Sequence, residues 1–208
     1  MLYWFEQFGV AVGALSGVLA ARGKHVDLFG VVVLALVAAF GGGTVRDLAL
    51  GDTPVFWVSD GNYILTAVGT ALVAFFIARF HTFSSHALIV ADAVVLAFFT
   101  MVGVKKALVF GAPAPVAVTM GVVTGVAGGI LRDMLTGEIP LVFRSEIYFY
   151  ATASLCGAMT FLLLHRWLPD TPQISLLAGA AVTLLLRLAA VRWKLKLPVF
   201  RHRDVREE

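Results

Sequence analysis

The chain has 208 residues, 60% of them hydrophobic and only 14% charged, with a mean hydropathy of +0.91. A soluble domain carries close to twice that charge fraction, so the composition excludes a water-soluble globular protein and leaves no room for a soluble catalytic domain. The net charge is +3, and much of the Lys and Arg lies at the C-terminus, a placement that suits orientation and anionic lipid contact rather than nucleic acid.

Charge-poor runs predict spans near residues 4–21, 28–50, 61–79, 86–105, 114–136, 146–165 and 173–192. Each is close to the roughly 20 residues a bilayer core requires. The first run lacks a basic leader and an A-x-A cleavage pattern, so it reads as a retained span. Between the runs lie Arg22–His25, Asp52–Asn62, His81–Ser85, Gly111–Pro115, Gly137–Ser145 and Pro169–Pro172. Gly, Pro and small polar residues cluster there, as chain reversals require.

Cys156 is the only cysteine, which excludes an internal disulfide and a thiolate metal site. Glu6, Asp60, Asp92 and Glu146 fall near span ends and read as caps or solvated termini. Trp4, Trp57, Tyr63, Tyr148, Tyr150, Trp167 and Trp193 read as an interfacial belt. Lys194, Lys196, Arg201, Arg203 and Arg206 follow the last span, so the C-terminus is expected to be cytoplasmic. Arg22, Lys24 and Arg79 agree with that orientation, whereas Lys105 and Lys106 do not.

One segment occurs twice. Gly42-Gly43-Thr44-Val45-Arg46-Asp47, closing on Gly51-Asp52-Thr53-Pro54, recurs 86 positions later as Gly128-Gly129-Ile130-Leu131-Arg132-Asp133, closing on Gly137-Glu138-Ile139-Pro140. Glu6 and Asp92, Gly17 and Gly103, and Asp60 and Glu146 match weakly at the same offset. The copies sit in the second and fifth spans, an odd number apart, so they are expected to cross the membrane in opposite directions. The expected architecture is an all-α polytopic membrane protein of seven transmembrane helices. It comprises repeat one (about 4–80), an inverted repeat two (about 86–166), a seventh helix (about 173–193) and a basic tail (194–208), in a single transmembrane domain. Inverted repeats with broken helices are the usual build of a permeation path.

Gly41, Gly42, Gly43, Gly128 and Gly129 cost a helix about 1 kcal/mol each relative to alanine. They serve either close helix packing or kinks, with Thr44 alongside, that free carbonyls facing protein or water. Carbonyls freed near Gly42 and Gly129 could coordinate a dehydrated monovalent cation. Arg46, Asp47, Arg132 and Asp133 each cost about 2.5–3.5 kcal/mol at the bilayer centre. Adjacent side chains on a helix diverge, so these charges are expected to pair across the repeat interface, to face water, or to sit at the membrane surface. Lys105 and Lys106 are either a snorkelling span end or candidates for a gating charge in the path. No H-E-x-x-H, G-x-S-x-G or nucleotide-binding loop is present, which disfavours an enzyme.

The G-G-G-x-x-R-D of the second span, the G-G-x-x-R-D of the fifth and the seventh terminal helix resemble the prokaryotic branch of the trimeric intracellular cation (TRIC) channel family. The same domain carries the name glycine transporter. The resemblance covers residues 4–195. It implies a homotrimer in a bacterial or archaeal plasma membrane, with a potassium-preferring pore in each protomer. It also implies kinks at Gly41–Gly43 and at Gly128–Gly129, motif charges near the constriction, and Lys105 or Lys106 in the gating region. No cofactor is implied beyond the permeant cation and bound lipid, and no nucleic acid. The Lys-Glu-Val motif tied to inositol lipid in the animal members is absent, since Val104-Lys105-Lys106 lacks the glutamate, and Ala127 stands where a third glycine of the second run would fall. The alternative reading is a secondary carrier for glycine or another small neutral solute.

Overall fold

The computed structural model describes residues 2–81, 84, 86–144 and 149–193. The basic tail, Glu146 and Tyr148 lie outside these residues. Among the described residues the chain is helical throughout: α1 (Leu2–Ala20), α2 (Leu28–Leu50), α3 (Phe56–Ser59), α4 (Asn62–Phe80), α5 (Ala87–Val109), α6 (Ala114–Leu135), α7 (Tyr150–Trp167) and α8 (Pro172–Trp193), with a 3₁₀ turn at Leu141–Phe143. All but α3 have 18 to 23 residues. At 1.5 Å per residue that is about 27–35 Å, the thickness of a bilayer core. By length and hydropathy α2, α4, α5, α6 and α8 qualify as membrane spans, and the chain is a multi-pass membrane protein.

Local chemistry sets the helix ends. Asp27 caps α2 by accepting the Gly30 N–H at 2.8 Å. Gly51 ends α2 at φ 72°, in the left-handed region that glycine tolerates. Gly137, the residue equivalent to Gly51, has φ 70° just beyond α6. Pro113 and Pro115 flank the start of α6, where a missing N–H costs nothing. Gly61 is the residue that opens α4, and the Asp60 carboxylate before it accepts the Asn62 N–H at 2.9 Å.

Every apolar run becomes a long helix, and the 28–50 run matches α2 at both ends. The fourth run is different. The helix does not stop at the lysines but continues to Val109, so Lys105 and Lys106 lie one turn inside α5. The reason lies in the ion pairs of Lys106, described below.

Glycine and alanine line the helix crossings. A Cβ on Gly17 of α1 would stand 2.5 Å from the Leu34 carbonyl oxygen and 2.6 Å from Ala35 Cα of α2. A Cβ on Gly103 of α5 would stand 2.9 Å from the Met120 oxygen and 2.8 Å from Gly121 Cα of α6. Both distances are shorter than real Cβ contacts allow. The two crossings are the same contact displaced by 86 positions. Within the membrane, where burying apolar surface gives no net drive, this close approach of backbones supplies the packing energy.

Candidate functional site

The repeated segment crosses itself. Gly42 of α2 lies against the Thr124 carbonyl of α6, so closely that a Cβ could not be inserted. Gly128 of α6 lies against the Ala38 carbonyl of α2, where a Cβ would stand at 2.5 Å. Gly41 sits beside Gly128 Cα at 3.3 Å from its own Cβ position. Both glycine runs remain inside uninterrupted α-helices. Gly41, Gly42 and Gly128 thus pack α2 closely on α6, while Gly43 makes room for the Phe56 ring.

On either side of this crossing is a buried charge cluster. In the first half, Arg46 Nε donates to Asp47 Oδ1 at 2.7 Å and Arg46 Nη1 to Glu6 Oε1 at 3.3 Å. The Tyr63 hydroxyl donates to Glu6 Oε2 at 2.9 Å, and the Phe56 N–H to Asp47 Oδ2 at 2.9 Å. Lys106 reaches in from α5, donating to Asp47 Oδ1 at 2.7 Å and pairing with Asp52 Oδ2 at 2.5 Å.

In the second half, Arg132 Nε donates to Asp133 Oδ1 at 2.8 Å, and Arg132 Nη1 to Asp92 Oδ1 and Ser16 Oγ, each at 3.1 Å. The Leu141 N–H donates to Asp133 Oδ2 at 2.9 Å. Gly129 lets Asp92 and the Tyr150 hydroxyl approach, at 3.2 and 3.3 Å from where its Cβ would be. Arg187 of α8, fully buried, lies over the Tyr150 ring with its guanidinium carbon 4.8 Å from the centroid.

Three expectations need correction. Arg46 and Arg132 do not exchange carboxylates across the halves; each pairs within its own half, because α1 and α5 deliver Glu6 and Asp92 beside them. Neighbouring Arg and Asp side chains do meet, since the long arginine folds back along the helix to its short neighbour. Glu6 and Asp92 are not solvated caps: Asp92 is 2% exposed and Glu6, at 13%, is the arginine's second partner. The ion pairs that cross between the halves come from lysines, Lys106 to Asp47 and Asp52, and Lys24 to Glu138, and Arg132 crosses only through its neutral hydrogen bond to Ser16.

Tyr63 and Tyr150 leave the interfacial belt for the core, at 4% and 5% exposure, while Trp4, Trp167 and Trp193 are exposed as a belt requires. Trp57 stacks on Phe40 and donates to Thr44 Oγ1 at 3.0 Å. Lys105 is half-buried beside Lys106. Arg187 was not singled out in the sequence, although a lone arginine in Leu184-Leu185-Leu186-Arg187-Leu188 is the signal that a charge must be met inside the bundle. Ser16 carries no such signal. Among the described residues, no group of three His, Cys, Asp or Glu side chains could hold a metal ion.

The family model described as Glycine transporter matches two segments, residues 3–79 and 89–166, whose first residues are the same 86 positions apart. The chain is 48% identical to a UPF0126 membrane protein of Vibrio cholerae over 96% of this chain and 83% of that one. It is 45% identical to the UPF0126 inner membrane protein YadS of Escherichia coli over 96% of each. Among solved structures, the TRIC trimeric intracellular cation channel orthologue from Rhodobacter sphaeroides superposes with a TM-score of 0.87 at 40% identity, covering 93% of this chain and 98% of that one. A TRIC cation channel solved to explain conductance superposes at 0.84 with 32% identity, covering 97% and 98%. The family match, the relatives and the repeat geometry agree: this chain belongs to the Glycine transporter family, whose solved members include the TRIC channels.

Proposed function

We propose that this protein is a monovalent cation channel, potassium-preferring, with a pore in each protomer of a homotrimer. The observation that carries this reading is the superposition on TRIC cation channels over nearly the whole chain at 40% and 32% identity. The seven long helices act as two inverted groups of three, α1, α2, α4 and α5, α6, α7, followed by α8. The membrane is the bacterial or archaeal plasma membrane, with the C-terminus cytoplasmic. The chain is not an enzyme.

The path runs where α2 crosses α6. Backbone contact at Gly42 and Gly128 leaves no room there for a hydrated cation, so the arrangement described is a shut one. Opening bends α2 and α6 at Gly41–Gly43 and Gly128–Gly129, separates the crossing and exposes carbonyls near Gly42 and Gly129 to the permeant ion. Arg46, Asp47, Arg132 and Asp133 hold the field on either side. Lys106, tied to Asp47 and Asp52, is the gating charge, and Lys105 stands beside it. A glycine carrier is less favoured, because the solved structures that resemble this chain are channels.

The test is recording from the purified protein in a planar bilayer under a potassium chloride gradient. Discrete current steps reversing near the potassium equilibrium potential are expected. A silent bilayer, with the same preparation accumulating labelled glycine in liposomes, overturns the channel reading.

A further inference from the structure

Away from the charge clusters, a cavity of about 340 Å³ opens where the C-terminal ends of α1 and α4 meet the N-terminal end of α2. Its floor is apolar, with Val18, Val31 and Phe75, and its rim carries Arg22, Arg79 and His81. Among the described residues no carboxylate lines it, while Arg22 also borders the neighbouring cavity that Asp133 and Glu138 line. The nearest acid in sequence, Asp27, is turned to the Gly30 N–H as the cap of α2. Two helix C-termini and one N-terminus meet here, so helix dipoles act in both senses and the side-chain charges decide the local sign.

The surroundings of the cavity are exposed and apolar. Phe29, Phe76, Ile77 and Phe80, on the same ends of α2 and α4, are exposed, Phe29 and Phe80 by more than three-quarters. A cationic rim above an apolar pocket, bordered by exposed aromatics at a helix-end level, has the polarity of an anionic lipid: charge outward, chain inward. The volume lies in the range of small-ligand sites. It accommodates a phosphate headgroup with the first carbons of one chain, while the rest of that chain runs over Phe76 and Phe80.

We propose that this pocket seats one anionic phospholipid of the surrounding bilayer, with its phosphate against Arg22 and Arg79 and one acyl chain entering over Val31 and Phe75. The proposal requires only that the protein reside in a membrane and does not depend on the channel reading.

The full-length protein is reconstituted with spin-labelled phosphatidylglycerol or phosphatidylcholine, and the motionally restricted fraction of each is compared. The wild type is expected to prefer phosphatidylglycerol, and R22Q/R79Q to lose that preference by about fivefold for each cation removed. A78W fills the cavity from its exposed wall with every charge retained, and should abolish the preference as well. A wild type that does not distinguish the two lipids overturns the proposal. So does an A78W that keeps the preference, because surface charge alone would then explain it. Competition by inorganic phosphate as effective as competition by phosphatidylglycerol would make this an anion site without a lipid, and also overturns it. Thermal unfolding of each variant in detergent checks that the fold is retained.

Discussion

The two halves solve the same electrostatic problem with different completeness. In each, an arginine on the glycine-bearing helix holds its neighbouring aspartate and an acid from the helix before it, and a backbone N–H closes the aspartate's other oxygen. Their margins differ. The first cluster has three carboxylates, Glu6, Asp47 and Asp52, against Arg46 and Lys106, and it reaches the surface at Asp52, which is 36% exposed. The second balances Asp92 and Asp133 against Arg132 and Arg187 and is sealed, each of the four being less than 5% exposed. On the channel reading, the half that carries the gating lysine is the one with a wet edge. On the same reading the half closed by α8 is an anchor, because withdrawing one partner from a buried set of two acids and two arginines leaves an uncompensated charge at high cost.

If that contrast is right, the two arginines are not equivalent. Arg132→Met strands Asp133 with only the Leu141 N–H, and should cost about 3–5 kcal/mol of stability. Arg46→Met leaves Asp47 paired with Lys106 and Glu6 partly in water, and should cost less than the low end of that range. Unfolding in detergent, monitored by circular dichroism, compares them. Equal losses would mean the second cluster is no more of an anchor than the first.

The crossing at Gly42 and Gly128 comes next in size. Alanine at either position drives a Cβ into a backbone carbonyl, which cannot rotate aside as a side chain could, and overpacking of this kind costs about 1–3 kcal/mol. Gly129→Ala meets only side-chain atoms at 3.2 Å and beyond and should be milder. On the channel reading, Gly42→Ala also raises open probability in bilayer recordings, by destabilising the shut crossing. A variant more closed than wild type would count against shutting at this contact.

Much of this was legible because the duplication repeats chemistry as well as letters. The spacing of glycine pair, Arg-Asp and Gly-acid-x-Pro located α2, α6 and the turns after them, and Gly17 with Gly103 marked equivalent crossings. Partner choice was hidden. A single carboxylate near a span end looks the same whether it meets water or an arginine some forty residues away, so Glu6 and Asp92 read as caps. Arg187 lies outside the repeat, and nothing at an offset of 86 pointed to it. Lys106 looked like the end of a span because the aspartates that allow it inside come from another helix.

Coupling between the halves separates the contacts that cross from those that do not. Arg46→Ala and Asp133→Ala share no partner and should add within about 0.5 kcal/mol, whereas Lys106→Met and Asp47→Asn should be non-additive by more than that. A strong Arg46–Asp133 coupling would restore pairing between the halves.

The smallest effect belongs to the other lysine. Lys24 pairs with Glu138, the counterpart of Asp52, and Arg144 Nη2 approaches the same carboxylate at 3.2 Å. This contact lies outside the spans and is exposed, so salt screens it. The hydrogen bond from Lys24 first, and then the charges of Lys24 and Arg144, hold the Glu138 carboxyl below its usual range. A depressed folded-state pKa stabilises the protein at every pH above the unfolded carboxylate's value and is lost as the pH falls through the folded one. Glu138→Gln should therefore melt slightly lower than wild type at neutral pH, and the two melting curves should converge as the pH drops below the ordinary glutamate range. In high salt the difference should shrink at neutral pH as well. The wet edge of the first cluster predicts something different for Lys106→Met, since Asp47 is fully buried and salt reaches it poorly. A salt dependence as large for Lys106→Met as for Glu138→Gln would show that both lysines are surface contacts, and that the first cluster is open further inward than Asp52.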